Sequence, residues 1–225
     1  MIVSNINKIN FLIEKSKVLI FDFDGVIVDS NDIKTAAFSE LYQPYGSDVV
    51  NRVILHHEAN GGMPRFEKFD YYHKHFLGED INQKEIIDLS ARFSKLVVNK
   101  VIAAPEINSA ELFLKKIQNN KKFCSINSAT PEVEIKEIII HRNLEKYFSK
   151  ILGSPSSKSE NIIKILNYYK CNIKEALFFG DADSDINAAL KTGIHFIGVG
   201  RSVLKYMHNR DETYYHINDF HEISK

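Results

Sequence analysis

The sequence predicts a doubly wound parallel α/β sheet interrupted by an inserted helical domain. Three observations carry that expectation. Five short runs rich in β-branched and aromatic residues read as strands. Amphipathic helices lie between the later strands. Positions 31–104 are patterned for helix and hold no convincing strand. Strands alternating with helices of this length make parallel βαβ units, with helices on both faces of the sheet.

The first strand, Val18–Phe21, opens the stretch "VLIFDFDGVIVDS". It runs straight into Asp22, Asp24 and Asp29, grouped around Gly25. Carboxylates that close repel, and an unpaired buried one costs several kcal/mol, roughly 3 or more. The stretch is therefore either a solvated turn or a cation site. Asp29 stands just before the insertion, where capping the next helix or pinning a hinge is its expected role.

Within the insertion, "NDIKTAAFSELYQPYG", "RFEKFDYYHKHFLG" and "NQKEIIDLSARFSKLVVNKVI" read as helices. Both ends of 31–104 emerge beside the acidic loop, so the segment should lie over that loop as a lid. The core is then 1–30 together with 105–225.

After Pro105 the alternation resumes. "NSAELFLKKIQNN" spaces Ala110, Phe113, Leu114 and Ile117 along one helix face, before a strand at Lys122–Ile126. "SATPEVEIKEIII" offers Thr130 as N-cap with Pro131 at the first helical position. Strands follow at Lys150–Leu152, Ala176–Phe179 and His195–Val199. Between them, "ENIIKILNYYK" aligns Ile162, Ile165, Leu166 and Tyr169, while "DADSDINAALKTG" aligns Ile186, Ala189 and Leu190 and stops at Gly193.

Composition narrows the class of function. The 225 residues are 44% hydrophobic, enough for a sizeable core in one or two domains. Lys+Arg and Asp+Glu balance at 29 each, so no net field draws nucleic acid or an anionic membrane. The longest apolar runs are strand-sized, and Glu14 and Lys15 fall where a signal peptide would stay apolar. Cys124 and Cys171 make no metal-ligand spacing and no disulfide framework. The expectation is a cytoplasmic protein, monomer or weak homodimer, acting on a small molecule with no nucleic-acid or membrane partner.

In open α/β sheets ligands bind beyond the carboxyl ends of the strands. The candidates there are Asp22 and Asp24 after the first strand, then Asn127 and Ser128 after the second. "GSPSSK", reaching Lys158, follows the third, and "GDADSD" follows the fourth. Oxygen-only ligands of this kind suit Mg²⁺.

These motifs, in this order, resemble the haloacid dehalogenase-like superfamily, in its phosphatase branch with a helical cap. "DFDGVIVDS", "INSATP", Lys158 and "FFGDADSD" carry the resemblance, which runs from about Val18 to Gly200. It implies a Rossmann-like core and a Mg²⁺-dependent phosphatase working through an aspartyl-phosphate. Asp22 would be the nucleophile and Asp24 the acid–base, with Asp22, Asp24, Asp181 and Asp185 holding the metal. Asp183 could replace one of the last two, although capping the helix near Ser184 is its plainer role. Lys158 would neutralise the phosphoryl group, and Ser128 would donate to it, with Asn127 the donor if the register shifts by one. Gly25 counts among the substrate-contacting residues. In "HHEANGGMPRFEKF", Arg65 resembles the cap residue that reads the distal part of the substrate, with His57 and Lys68 behind it. Ser159, where the family usually has proline, departs from the pattern.

The implied substrate is a sugar, polyol or aminoalcohol phosphate, of the kind used in surface-polysaccharide biosynthesis. A phosphomutase on the same fold is the alternative. A phospho-accepting signalling domain fits less well, because such domains lack the aspartate two residues on and the large insertion. A non-catalytic binding module is disfavoured by the intact set of core groups.

Overall fold

Seven strands pair in parallel into one sheet. They are β1 (Ile2–Val3), β2 (Val18–Phe21), β3 (Phe123–Pro131), β4 (Phe148–Ser154), β5 (Ala176–Gly180), β6 (His195–Val199) and β7 (Tyr214–Ile217). Their spatial order is β1-β7-β6-β5-β2-β3-β4. The computed structural model describes residues 2–3, 5–208 and 214–224. All five expected strands are present. The two additional ones, β1 and β7, are short and stand at or next to one edge, so little in their own sequence marks them.

β2 is buried on both faces, as a central parallel strand should be. Leu19 and Phe21 enter one apolar layer, and Val18 and Ile20 enter the other. Phe21 stacks on Phe179 with ring centroids 5.0 Å apart, which firms the floor beneath Asp22. The chain leaves β2 toward β3 on one side and later returns to β5 on the other. β2 therefore sits at the switch point of the sheet, where the crevice opens.

The helices are α1 (Ile6–Lys15), α2 (Asn31–Tyr42), α3 (Ser47–Ala59), α4 (Arg65–Tyr72), α5 (Gln83–Ala103), α6 (Ala110–Asn119), α7 (Glu132–His141), α8 (Lys158–Tyr169), α9 (Asp183–Thr192) and α10 (Leu204–Met207). Between β2 and α6, helices α2 to α5 form the insertion. Phe38, Tyr42, Phe69, Tyr72 and Phe93 fill its interior, with Phe38 and Phe93 centroids 4.5 Å apart. Helix α3 lies outside the sequence expectation. It buries only Val53 and His57, so it shows no apolar stripe. No helix among the described residues is long and apolar enough to cross a membrane.

Three boundaries differ from expectation. β3 continues to Pro131 and α7 starts at Glu132, so Thr130 does not cap a helix. Its hydroxyl is engaged by Asp24 and Lys34 instead. Ser30, not Asp29, occupies the N-cap position of α2. Asp183 is the first residue of α9 rather than its cap, and its carboxylate accepts from Asn187 Nδ2 at 2.8 Å.

The two chain crossings into the insertion are bonded to each other. Asp29 N donates to Pro105 O and Ile107 N to Ile27 O, both at 3.0 Å, around an antiparallel bridge between Val28 and Glu106.

Candidate active site

The turn after β2 reverses within a few residues because Gly25 adopts φ +74°. That conformation favours glycine, and space demands it too. A Cβ at Gly25 would lie 2.1 Å from Asp181 Oδ2. Gly25 N is already bonded to Val28 O at 2.8 Å. Its role here is to let two strand ends approach, which corrects its assignment as a substrate contact.

Asp22 is buried at the end of β2. Its Oδ1 accepts from Phe23 N at 2.7 Å, and its Oδ2 from Lys158 Nζ at 2.5 Å. Lys158, the first residue of α8, reaches Asp185 Oδ1 as well, at 2.6 Å. Burial raises the Asp22 carboxyl to about 7, opposed by Lys158 and reinforced by Asp185 and Asp24. Burial works against the Lys158 charge, but the two carboxylates outweigh it and raise the lysine above its ordinary value.

The carboxylates of Asp22, Asp181 and Asp185 are buried and bring ligand oxygens within 4.8 Å of one another. Burial and then Asp22 and Asp185 push Asp181 well above the usual carboxylate range. Such a cluster is relieved by a divalent cation, and an all-oxygen donor set fits Mg²⁺. The groups differ in freedom, however. Asp185 has both oxygens occupied, by Lys158 and by Ala182 N at 3.1 Å. Asp181 holds a lighter contact, from Asn31 Nδ2 at 3.0 Å.

Asp24 has a different neighbourhood. Ser30 Oγ donates to it at 2.6 Å and Thr130 Oγ1 at 3.1 Å, and Lys34 forms an ion pair with it. Burial favours its neutral form, but Lys34 and these hydrogen bonds outweigh burial and hold its pKa below the ordinary value. Ser30, Lys34 and Thr130 were absent from the sequence-derived site. The available signal was positional. Asn31 and Lys34 are one helical turn apart just beyond the hinge, so both look back at the strand ends.

Ser128 and Asn127 separate cleanly. Ser128 lines a cleft of about 360 Å³ together with Lys158, Gly62 and Ser184. Its Oγ accepts from Thr130 N at 3.1 Å, leaving the hydroxyl proton available. Asn127 is fully buried and donates to Lys158 O at 2.9 Å, so it fixes the lysine's backbone. It is a support and not a donor into the cleft.

Arg65 is not at the substrate face. It is buried at the start of α4 and pairs with Glu134 of α7 through both guanidinium nitrogens, one at 3.0 Å. It donates to Ser94 Oγ at 2.9 Å and stacks over Phe93. This corrects its expected position. His57 and Lys68, the next candidates, are bonded to each other, Nζ to Nδ1 at 2.7 Å, and His57 borders the cleft that holds Asp22 and Asp24. Gly61–Gly62 of the insertion lies against Ala182 and Ser184 of the core loops.

Comparison with known proteins identifies the family. Residues 19–199 match the family described as haloacid dehalogenase-like hydrolase. A phosphoglycolate phosphatase of Pasteurella multocida is 24% identical over 196 residues, 81% of this chain and 85% of that protein. One of Psychrobacter arcticus is 24% identical over 198 residues, 81% and 83% of the two chains. The crystal structure of β-phosphoglucomutase from Clostridium difficile superposes with a TM-score of 0.75 at 18% identity, covering 92% of this chain and 93% of that one. At that identity the likeness speaks for the fold alone. With the family match spanning most of its length, the chain belongs to the haloacid dehalogenase-like hydrolases.

Proposed function

We propose that the protein is a Mg²⁺-dependent phosphatase of a small soluble phosphomonoester, with 31–104 acting as its lid. The observation that carries this reading is Asp22 held at 2.5 Å by Lys158, with Asp24 two residues on in its own hydrogen-bonded setting. The attacking group must be a carboxylate, which the Lys158 ammonium beside Asp22 favours, while Asp24 has partners of its own in Ser30, Thr130 and Lys34. Family membership and the names of the two curated relatives support the same reading.

The phosphoryl dianion of the bound ester sets negative charge beside Asp24 and favours its acid form. Asp22 Oδ then attacks phosphorus as the ester oxygen leaves, and that oxygen takes the Asp24 proton. The product is an aspartyl-phosphate and an alcohol. Asp24, now a carboxylate, takes a proton from water, which attacks phosphorus and releases phosphate with Asp22 regenerated. Lys158 and Ser128 hold the phosphoryl oxygens throughout. Asp22, the Asp24 carbonyl and Asp181 would hold Mg²⁺, with Asp185 behind them. Bound there, the ion would add positive charge against the phosphoryl oxygens.

The test is phosphate release from a panel of phosphomonoesters with Mg²⁺. Release should vanish after EDTA treatment and in Asp22→Asn. Full activity in either would overturn the mechanism. In ¹⁸O-labelled water the label should appear in inorganic phosphate at each turnover. Isomerised sugar phosphate formed without net phosphate release would put the phosphomutase reading first.

A further inference from the structure

Helix α3 of the insertion ends at Ala59, directly before the Asn60–Gly62 stretch that borders the Ser128 cleft. A helix end leaves its last four carbonyls without partners inside the helix. Here the four are divided between the insertion and the core. His56 O and His57 O accept from Asn60 N, at 3.0 and 3.2 Å, and Asn60 Nδ2 donates to His56 O at 2.9 Å. Glu58 O and Ala59 O are met from outside the insertion. The Tyr206 hydroxyl reaches them at 3.2 and 3.1 Å, and Lys205 Nζ approaches Glu58 O at 3.4 Å. The hydroxyl has one proton for the two carbonyls, and the ammonium adds the charge that a helix C-terminus favours.

Both side chains stand on a fixed platform. They belong to α10, beyond β6, where the flanking Val203 and Met207 are fully buried. Those two pack against Gly198 of β6, where a Cβ would lie 2.5 Å from Met207 Cε and 2.9 Å from Val203 Cγ1. Just ahead of them, Ser202 Oγ donates to Asp181 O at 3.3 Å. The segment is thus tied to the strand end that presents Asp181, and Tyr206 carries the tie across to the insertion. Tyr206 also borders a cleft of about 300 Å³ that touches Asp22 and Asp24, as do Gly61 and Gly62. The phenol stands where the insertion meets the core beside the reacting aspartates.

We infer that Tyr206 is a positioning residue for the reaction, capping α3 from the core and so holding Asn60–Gly62 over the site. The contact differs in kind from that of Arg65 with Glu134, which is buried and charged. Tyr206 bonds through a neutral hydroxyl at an exposed edge, so its contact can be made and broken at each turnover. This rests on the reading of 31–104 as the lid of a phosphatase.

Tyr206→Phe removes the hydroxyl and leaves the ring, and hydrogen–deuterium exchange tests it without turnover. Asn60 N is bonded to His56 O and His57 O, and Met63 N to Asn60 O. These two amides should exchange at least threefold faster than in the parent, while those of β6 keep the parent rate. On the best ester of the panel, kcat/KM should fall roughly three- to tenfold, the range of one hydrogen bond. Unchanged exchange at Asn60 and Met63, a rise shared equally by β6, or an unchanged kcat/KM would each overturn the inference. If the parent releases phosphate from no ester, the phosphatase reading fails by itself, and the exchange pattern alone decides whether Tyr206 places Asn60–Gly62.

Discussion

Lys34, in the first turn of the insertion, forms an ion pair with Asp24 and a 2.9 Å hydrogen bond to the Thr130 hydroxyl. One ammonium thus joins the insertion, the turn after β2 and the end of β3. Its charge keeps Asp24 in the carboxylate form that the water-activating step needs.

Replacing that lysine should therefore act through pH. In Lys34→Met, burial is left less opposed, so the Asp24 pKa rises and the base form is lost in mild acid. The expected result is a kcat about tenfold lower relative to the parent at about pH 5.5 than at about pH 8. Acid-quenched samples should hold more aspartyl-phosphate at the lower pH. An equal loss at both pH values would show that Lys34 only secures the helix.

Lys68 should leave a mark on stability. Burial, helped by the nearby Lys34, brings its folded pKa down to about 7, against 10.5 as its ordinary value. Between those values the unfolded chain binds a proton that the folded chain does not, so stability rises with pH across the window. It is lost again as pH falls toward 7, by at most about 1.4 kcal/mol per pH unit from this group. Lys68→Met should be the more stable protein near pH 7, with the gain narrowing toward pH 10. Urea unfolding at several pH values checks this, and parallel curves for the two proteins would contradict it.

Arg65 and Glu134 tie the insertion to α7 in a buried, two-pronged contact. Removing one partner strands a buried charge, so Arg65→Ala should cost about 3–5 kcal/mol. Arg65→Leu combined with Glu134→Leu should recover most of it. Activity of the single variant should fall alike on p-nitrophenyl phosphate and on larger esters. Urea midpoints and paired kcat/KM values test this. A loss confined to larger esters would restore Arg65 to substrate recognition.

Gly62 rests where no side chain fits. A Cβ there would sit 1.7 Å from Ser184 Oγ and 2.8 Å from Ser184 Cβ. Gly62→Ala must push the insertion off the core loops, and kcat/KM should drop by roughly tenfold or more. Ser184→Gly in the same chain removes the obstruction and should restore most of the activity. Unchanged kinetics in Gly62→Ala would mean that this contact is not part of the working state.

What the sequence revealed follows the range of the interactions involved. Asp22, Asp24 and Asp181 stand directly beyond strands, and hydrophobic runs locate strands without tertiary knowledge. Lys158 comes a short loop after β4, at the start of α8, and Ser128 lies inside β3 near its carboxyl end. Arg65 was misplaced because its partner, Glu134, is 69 residues away. No local pattern announces such a pair, and a glycine pair followed by arginine reads equally well as a binding loop. Thr130 looked like a helix cap because Thr-Pro is a common start, yet its hydroxyl is taken by groups from two other segments. Helix α3 escaped notice because the contact side of an insertion can be narrow and polar. His57 and Lys68 supply that polarity.

The bonded crossings at Asp29–Pro105 and Ile27–Ile107 bear on how the insertion can move. Two separate strands of chain would let it twist and slide. Laced together by the Val28–Glu106 bridge, they behave as one flat strap that bends about a single line. Parts close to that line travel little when the strap bends, and parts far along the insertion sweep widest. Asn31 and Lys34 belong to the first kind, so in the proposed lid motion their grip on Asp181 and Asp24 would outlast the contacts of Gly62 with Ser184 and of Arg65 with Glu134. A lid hinged in this way would gape for substrate and product while the charges that set up the two aspartates stay in place.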